Sequence, residues 1–400
     1  MKKAISVGLA AAMVLSMAAC GSSDTAETTA AADTTAAEDS TEQADSSEAA
    51  ADDGMEEFII GSTGPLTGAS ASYGTSVKQG EEIAIQEINE AGGVQVGDTT
   101  YKLVLNFQDD EAKEDKAVTA FNTLVDAGMN AYVGAVTTGA CLAQTDLSYE
   151  ANILQITPSA SAEAVTENPN VFRMCFTDPL QGRMIAQYVL DNGYESVAVL
   201  WNNADEYSAG IHDAFVEALE AEDAGLLVAD ESFATGDVDF NTQLTVIKNS
   251  GAKLLFVPAY YGDVAYIVQQ AKDAGMDCDF VGSDGWDGVL GQVTDPSVVE
   301  GAVFLSPFLA TEDSAADFVS KYEAAYGATP DQFAADGYDC VYVIKAAMEQ
   351  AGSIESDALI QAMTEITVDG LTGQVSFDES GEPNKTAKFV QIVDGEYTAM

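Results

Sequence analysis

The 400-residue sequence has very little positive charge. It carries 15 Lys and Arg against 66 Asp and Glu, which gives a formal net charge of -51 at pH 7. Such a charge repels the phosphates of nucleic acids and the headgroups of anionic lipids, so neither is an expected partner. Histidine is nearly absent: the single copy, His212, falls inside a helical pattern. A catalytic role for this histidine is therefore disfavoured.

Catalytic and phosphate-binding motifs are also missing. The sequence contains no G-x-S-x-G, no H-E-x-x-H and no EF-hand loop. Its opening Gly-rich loop departs from the P-loop, because Gly68 to Gly74 is one residue too long and Thr75 stands where the lysine is needed. The loop does not match the dinucleotide motif G-x-G-x-x-G either. We therefore expect no enzyme activity, no cofactor and no metal.

Cysteine is scarce, and its spacing suggests no zinc knuckle. Cys141, Cys175, Cys278 and Cys340 are far apart and form no C-x-x-C pair. We expect buried free thiols, although an exported protein could oxidise them. The acidic run Asp109–Glu111 could suggest a metal site, but capping of the following helix is the preferred interpretation.

The N-terminus has the pattern of a targeting segment, and no later stretch is apolar for the roughly 20 residues that a membrane helix needs. Ala4 to Met17 is apolar, follows two lysines and leads into "MAAC", which ends at Cys20. This pattern predicts an export signal over residues 1–20 with lipidation of Cys20; ordinary signal cleavage is the alternative. Residues 21–55 lack Lys, Arg and aromatics, which predicts a disordered acidic tether.

From Phe58 onward, short apolar strands alternate with helical patterns. Runs such as "VAVL" and "LLFV" are typical of parallel strands that are covered on both faces. The alternation predicts right-handed βαβ units, and a folded part of about 345 residues favours two parallel sheets over one. The fold class is therefore α/β, with helices flanking each sheet. The predicted helices are Gly74–Ala91, Lys113–Ala127, Leu180–Asn192, Ala209–Glu222, Asp263–Ala274, Ala315–Tyr326 and Phe333–Ala351.

Polar and aromatic loops follow six of the predicted strands. The carboxyl edge of an open α/β sheet is where ligands bind, and free helix N–H groups there favour an anion. The earlier loops suit a carboxylate, while the later loops offer an anion and aromatic faces for a cation, so a zwitterion fits between them. For any single hydroxyl, helix capping is the commoner role. The side chains concerned are Thr137, Thr138, Ser159 and Ser161 in the earlier loops and Tyr207, Tyr260, Tyr261, Asp284 and Trp286 in the later ones.

From about Phe58 to its end, the chain resembles the type I periplasmic solute-binding proteins of ABC importers, in the leucine–isoleucine–valine-binding branch. The resemblance rests on an ordered set of motifs: "GSTGPLTGASASYG", "EINEAGG", "YVGAVTTGA", "ILQITPSAS", "FRMCFTDPLQG", "PAYYGD" and "VGSDGWD". It implies two α/β lobes that close around an amino acid and are joined by three crossings, near Asp178, Ser306 and Leu371. The implied lobes comprise residues 56–177 plus 307–371 and residues 178–306 plus 372–400.

The resemblance also implies roles for individual residues. The Thr138 hydroxyl would meet the ligand carboxylate, with Ser159 contributing its amide and Ser161 its amide and hydroxyl. Asp284 would pair with the α-ammonium, although the branched-chain binders carry Glu there, which is one methylene longer. Aromatic contacts with the ligand would come from Tyr73, Tyr207, Tyr260 and Phe333. Trp286 is added from its place in the loop after a strand and is not implied by the resemblance.

Together these features predict a lipid-anchored receptor that delivers an amino acid to the membrane subunits of an ABC importer. The candidate loops contain no Lys or Arg, which disfavours acidic and phosphorylated solutes and favours a neutral side chain, branched-chain or related. The alternatives are another small solute, such as a cationic amino acid, a short amide or a carboxylate, and a sensor module of a signalling system. We expect a monomer, held only by its lipid at the outer face of the cytoplasmic membrane or in the periplasm.

Overall fold

The computed structural model describes residues 54–223 and 225–400. The predicted signal with Cys20, and all but the last two residues of the predicted tether, lie outside these ranges. Within them, no helix combines the length and the apolar character needed to span a bilayer.

Strands and helices alternate through most of the described chain. The strands are β1 (Glu56–Gly64), β2 (Val94–Val96), β3 (Thr99–Asp109), β4 (Ala131–Val133), β5 (Gln155–Thr157), β6 (Val171–Arg173), β7 (Val197–Asn202), β8 (Leu227–Phe233), β9 (Leu254–Val257), β10 (Asp279–Gly282), β11 (Val303–Ser306), β12 (Val368–Gly370), β13 (Gly373–Val375), β14 (Lys388–Val393) and β15 (Glu396–Ala399). The helices are α1 (Ala71–Glu90), α2 (Glu114–Asp126), α3 (Thr138–Glu150), α4 (Asp178–Asp191), α5 (Glu206–Asp223), α6 (Asn241–Ser250), α7 (Tyr261–Asp273), α8 (Ala316–Tyr326), α9 (Gln332–Ala351) and α10 (Ser356–Met363).

The first lobe is built on a six-stranded sheet with the order β2-β3-β1-β4-β5-β6. Neighbouring strands are parallel except β2 and β3, which form a hairpin. Its core contains Phe58, Ile60 and Leu103 from the strands and Ile344 and Met348 from α9. Apolar strands covered by helices agree with the parallel arrangement that the sequence predicts.

The second lobe is built on a seven-stranded sheet with the order β15-β14-β11-β10-β9-β7-β8. The strands from β7 to β11 pair in parallel, whereas β14 and β15 are antiparallel additions at one edge. The turn between them is Asp394–Gly395, with φ of 53° and 75°, which suits a two-residue hairpin. A connection this short cannot make a parallel crossover. The second sheet is therefore mostly parallel, as predicted, but has two antiparallel strands at one edge.

Helices α1 and α9 pack against each other unusually closely, which fixes the start of α9 beside the first sheet. A Cβ placed on Gly80 would lie 1.9 Å from the carbonyl oxygen of Ala334, and one on Gly337 would lie 2.4 Å from that of Val77. Only glycine permits this approach at either position. The packing brings Phe333, at the start of α9, to within 4.3 Å of Tyr73 on α1, measured between ring centroids.

The last crossing between the lobes lies later in the chain than the sequence suggests. Phe377 is buried with the first-lobe core, and Glu382 forms a 2.8 Å ion pair with Arg173 of β6. The chain joins the second sheet only at Lys388. These contacts favour a crossing between Glu382 and Lys388 over one near Leu371. The predicted lobe boundaries otherwise stay a prediction.

Two helices, α6 and α10, fall outside the predicted set, and for α3 the sequence predicts a helix start at the "VTTGA" loop without a full range. The buried face of α3 includes Gln144, Thr145 and Ser148. A helix with polar residues on its buried side lacks the apolar stripe that sequence patterns detect. Gln144 is satisfied inside the lobe, because its Nε2 donates to the carbonyl oxygen of Ala117 at 2.6 Å.

The acidic run before α2 does not cap that helix, so this prediction is wrong. The helix begins after Lys113, which makes no side-chain capping bond. The carboxylate of Asp109 instead accepts from the Leu66 amide at 2.9 Å and the Thr67 hydroxyl at 2.7 Å, and Asp110 accepts from the Ala112 amide at 2.9 Å. The Asp109 bonds hold the opening loop against the end of β3, whereas the Asp110 bond stays within the loop that follows β3.

Cysteine and histidine serve packing in the described ranges. All four cysteines there are free thiols; three are buried, as expected, and Cys278 is partly exposed. His212 stacks on Trp201 at 4.0 Å, and its ring nitrogens contact Asp213 at 2.8 Å and Asp230 at 3.2 Å. The histidine therefore has the packing role that the sequence favours.

Candidate functional site

Loops from both sheets meet directly in one place, which we call the interlobe site. It comprises the starts of α1, α3, α4 and α9, the loop after β5, and the loops after β7, β9 and β10. The Tyr73 hydroxyl, in α1, donates to the carbonyl oxygen of Gly285 at 2.5 Å and accepts from the amide of Tyr261 at 3.0 Å. These bonds join the lobes across the site.

The second-lobe side of the site is organised around Asp284. The Tyr207 hydroxyl donates to Asp284 Oδ1 at 2.5 Å, and Ser283 Oγ lies 2.7 Å from the same hydroxyl. The Asp284 amide donates to Gln181 Oε1 at 3.0 Å, and its carbonyl oxygen accepts from Gln332 Nε2 at 2.8 Å. The position of this carboxylate is thus fixed by residues from α4, α5 and α9.

Asp284 is suited to pair with a cation. It is 4% exposed, and burial raises its pKa to about 6, while the hydrogen bond from Tyr207 works in the opposite direction. Within the described ranges, Asp284 forms no ion pair with a lysine or arginine. A buried carboxylate without a positive partner is costly, so an ammonium group placed here would be bound favourably.

Two tyrosine rings adjoin this carboxylate. Tyr207 and Tyr260 stack with centroids 4.7 Å apart and an angle of 6° between the rings. The edge of Tyr73 meets Tyr260 at 5.7 Å. The faces of such rings attract cations, and this adds to the attraction that Asp284 provides.

The first-lobe side presents hydroxyl groups at the start of α3. Thr138 is the first residue of this helix, and its Oγ1 accepts from the Ser161 amide at 3.2 Å. The bond leaves the Thr138 hydroxyl proton available for a ligand. The Ser161 amide, in contrast, is already used. Ser159 donates its hydroxyl to the carbonyl oxygen of Val136 at 2.6 Å, which ties the two loops together.

Two further hydroxyls on this side, those of Thr137 and Ser161, are buried without a hydrogen bond of ordinary length. The Ser161 hydroxyl lies near Asp178, whose pKa burial raises and this hydroxyl lowers. Thr137 occupies the capping position of α3 but makes no capping bond with its side chain. Capping, the commoner role for such a residue, is therefore not its role here. Free hydroxyls beside a helix N-terminus form a favourable site for a carboxylate.

Aromatic residues fill the space between the two sides. Tyr73 contacts Phe333 at 4.3 Å and Tyr261 at 4.6 Å. Trp286 lies deeper, because its Nε1 donates to the carbonyl oxygen of Val257 at 2.8 Å and a Cβ on Gly282 would come within 2.2 Å of its ring. Trp286 therefore packs against strands β9 and β10 and supports the loop that carries Asp284. Its predicted contact with a ligand stays a prediction.

The structure brings Tyr73, Thr138, Ser161, Tyr207, Tyr260, Asp284 and Phe333 into the interlobe site and places Ser159 beside them. Sequence reasoning missed other buried polar residues there: Asp178, Gln181, Gln332 and Asp336. The only available signal was their spacing. Asp178 and Gln181 are three residues apart in α4, and Asp336 follows Phe333 by three residues in α9, so each pair shares a helix face.

Comparison with known proteins agrees with this architecture. Residues 57–396 match the family model described as periplasmic binding protein. Leu/Ile/Val-binding protein homolog 3 from Brucella melitensis is 31% identical over 331 residues, which cover 82% of this chain and 88% of that protein. The leucine-, isoleucine-, valine-, threonine- and alanine-binding protein of Pseudomonas aeruginosa is 28% identical over 327 residues, 81% of this chain and 86% of that protein.

A solved structure is similar over the same region. It is the branched-chain amino acid transporter substrate-binding protein LivJ from Streptococcus pneumoniae, in complex with isoleucine. The similarity has a TM-score of 0.80 at 31% identity and covers 86% of this chain and 98% of LivJ.

Proposed function

The chain belongs to the periplasmic binding protein family, in its branched-chain amino acid group, and on that premise we propose that it captures an α-amino acid between its lobes and delivers it to an ABC importer. Members of this family are substrate-binding proteins and not enzymes. The work of such a protein is selective binding coupled to closure of two lobes around the solute.

One observation carries the proposal: a buried carboxylate without a cation faces unpaired hydroxyls. Asp284 supplies the negative charge for an α-ammonium, with Tyr207 holding it in position. The hydroxyls of Thr138 and Ser161 and the N-terminus of α3 receive the α-carboxylate. Binding both groups at once selects a free amino acid over a simple amine or a simple carboxylate.

The side chain that fits best is compact and neutral. Tyr73 and Phe333 offer apolar surface, and relatives are described as binders of leucine, isoleucine, valine, threonine or alanine. A single methylene in such a pocket changes affinity by about 1–3 kcal/mol. Several of these amino acids should therefore bind with graded affinity.

A cationic amino acid is the second candidate. Asp178, Asp284 and Asp336 are all buried. Burial is the main cause that raises the pKa of Asp178 and of Asp336, and the charge of Asp284 adds to it in both cases. A positively charged side chain would relieve part of their repulsion. The reason for ranking this candidate second is that the named relatives bind neutral amino acids.

We further propose that the protein is exported and held at the membrane by a lipid on Cys20, with residues 21–55 as a tether and the folded part acting as a monomer. Intact-mass analysis of the mature protein tests the anchor, since a lipid adduct should begin at Cys20. A mature N-terminus without any adduct would contradict the anchor and leave amino acid binding untouched.

The identity of the solute is tested by releasing it. Gently purified protein is denatured, and the small molecules set free are identified by mass spectrometry. We expect an unaltered α-amino acid in a near-equimolar amount, and the protein should rebind it without turnover. Release of a solute that lacks an α-ammonium group would contradict the proposed site.

A further inference from the structure

In the described ranges, six of the eleven buried side-chain polar atoms without a hydrogen-bond partner lie at the interlobe site. Such atoms are rare in folded proteins, and each one is costly to leave unpaired. Their concentration in one place therefore indicates where a ligand supplies the missing partners. In the described ranges they include the hydroxyls of Thr137 and Ser161, both carboxylate oxygens of Asp178, Nε2 of Gln181 and Oδ1 of Asp336.

Asp336 is one of the members of this set that the proposed binding of the α-groups does not use, and it is the one that lies on α9 beside Phe333. It lies in α9, one turn after Phe333, whose ring contacts Tyr73 at 4.3 Å. The residue is 2% exposed, and among the described residues its side chain makes no hydrogen bond. Burial raises the pKa of the Asp336 carboxyl well above its usual range, and the charge of Lys385 works in the opposite direction. Lys385 forms no ion pair with Asp336 among the described residues, since its Nζ donates to the carbonyl oxygen of Thr372 at 3.2 Å.

Asp339, the next aspartate of α9, has a structural role. Asp339 accepts from the amides of Leu371 and Thr372, at 2.8 and 2.9 Å, and from the Thr372 hydroxyl at 2.6 Å. These three bonds fix the segment that follows β12. Asp336 has no such partners, so a purely structural role does not account for it.

We propose that Asp336 is a specificity-determining residue that accepts a hydrogen bond from the side chain of the bound amino acid. The inference rests on the proposed function, in which Asp284, Thr138 and Ser161 bind the α-ammonium and α-carboxylate. It narrows the substrate to α-amino acids whose side chain carries a hydrogen-bond donor, such as a hydroxyl or an ammonium group. A purely aliphatic side chain would leave the Asp336 carboxylate buried and unpaired.

Matched pairs of amino acids test this selectivity. Threonine and valine have nearly the same shape and differ by a hydroxyl in place of a methyl group; lysine and norleucine differ by a terminal ammonium. Affinities for all four are measured by calorimetry on the purified full chain. We expect the donor-bearing member of at least one pair to bind roughly ten- to a hundredfold more tightly, since an unpaired buried acceptor carries a penalty of that order.

Substitution of Asp336 then assigns the preference to this residue. Asp336→Leu should bring the affinity ratio of the preferred pair close to one by weakening the donor-bearing member, while valine or norleucine binds as well as before or better. Asp336→Asn keeps the side-chain shape and is the second variant to use if Asp336→Leu folds poorly. It should also reduce the affinity ratio between the donor-bearing member and the apolar member of the preferred pair.

Glu81→Gln is the matched control. Glu81 is also fully buried in the first lobe with one unpartnered oxygen, but it accepts from Ser62 at 2.8 Å inside the core and lies outside the interlobe site. Its substitution should leave the ratios unchanged.

Two results would overturn the inference, and they are distinguishable from failure of the proposed function. In the first, both members of each pair bind the unmodified protein equally, or the apolar member binds more tightly. In the second, a preference exists but survives both Asp336 substitutions. Failure of all four amino acids and of alanine to bind would overturn the proposed function together with this refinement.

Discussion

The two sides of the interlobe site differ in how their polar groups are paired. On the second-lobe side, Tyr207, Ser283 and Asp284 are hydrogen-bonded to one another. On the first-lobe side, Ser161 and Asp336 are buried with unpartnered oxygens. The cluster around Asp284 is thus already assembled, although Asp178 and Gln181 of the same lobe keep unpaired polar atoms, whereas Ser161 and Asp336 need a ligand to complete their hydrogen bonds.

This difference assigns separate tasks to the two sides. A carboxylate held in advance loses little freedom when the ligand binds, so the Asp284 side contributes affinity through preorganisation. Unpaired buried groups make the closed state costly without a ligand. A solute that pairs them therefore favours closure, because it interacts better with the closed state than with the open one.

The largest expected loss of affinity follows removal of the negative charge of Asp284. Asp284→Asn keeps the shape but leaves the ligand ammonium without its partner, which typically costs about 2–5 kcal/mol. Binding should weaken roughly thirtyfold or more by calorimetry. The melting temperature of the ligand-free protein should stay the same or rise, since a buried charge is lost.

Asp110→Asn is the matched control for this substitution. Asp110 is buried in the first lobe outside the site, and burial likewise raises its pKa to about 6. The control should leave affinity unchanged. Equal affinity in the Asp284 variant would remove that residue from the binding site.

The next effect compares two serines on the side that lacks partners. Ser161→Ala should weaken binding about tenfold or more, because a hydrogen bond to a charged carboxylate contributes about 1.5–3 kcal/mol. Ser159→Ala removes a hydroxyl already bonded to Val136, so it should lower stability by about 1 kcal/mol with little loss of affinity. Calorimetry and thermal unfolding of both variants check this. The reverse pattern would mean that the two serines have exchanged roles.

A smaller effect follows from pH. The pKa of Asp284 is raised to about 6 in the ligand-free protein, and only its ionised form pairs with an ammonium. Affinity should therefore be nearly constant above pH 7 and about tenfold lower at pH 5.

Stability of the ligand-free protein should respond to pH with the opposite sign. Because the folded-state pKa of Asp284 lies above its unfolded value of about 3.9, the group stabilises the fold fully below pH 4 and loses that contribution as pH rises through 6. Subtracting the profiles of the Asp284→Asn variant isolates this residue from the other buried aspartates. An affinity profile that does not change on substitution would contradict the assignment.

The smallest effect concerns the bond that joins the two sides. Tyr73→Phe removes the hydroxyl that donates to Gly285 and accepts from Tyr261 but keeps the ring that contacts Phe333. Affinity should fall about three- to tenfold, since a neutral hydrogen bond contributes about 0.5–1.5 kcal/mol. Small-angle scattering without ligand should show a more open average shape. An unchanged profile together with unchanged affinity would show that this bond does not stabilise closure.

Prediction from the sequence succeeded where a local pattern carries the information. The apolar stripe of α1 placed the helix at Gly74–Ala91, close to the observed Ala71–Glu90. The positions of the loops after strands predicted that Thr138, Tyr207 and Asp284 would lie at the carboxyl edges of their sheets, because parallel strands in one sheet all end on the same side. The polar buried face of α3 offered no such pattern, so the start of this helix was predicted but its length was not.

The sequence by itself determined the fold class, the order of βα units and the residue types available for a zwitterionic ligand, since these depend on spacing along the chain. Only the tertiary structure decided which polar groups are paired. Asp336 and Asp339 belong to the same helix and the same residue type, yet one has no hydrogen bond among the described residues and the other accepts three. That difference depends on where Thr372 returns to α9 from more than 30 residues away, and no local pattern encodes so distant a contact.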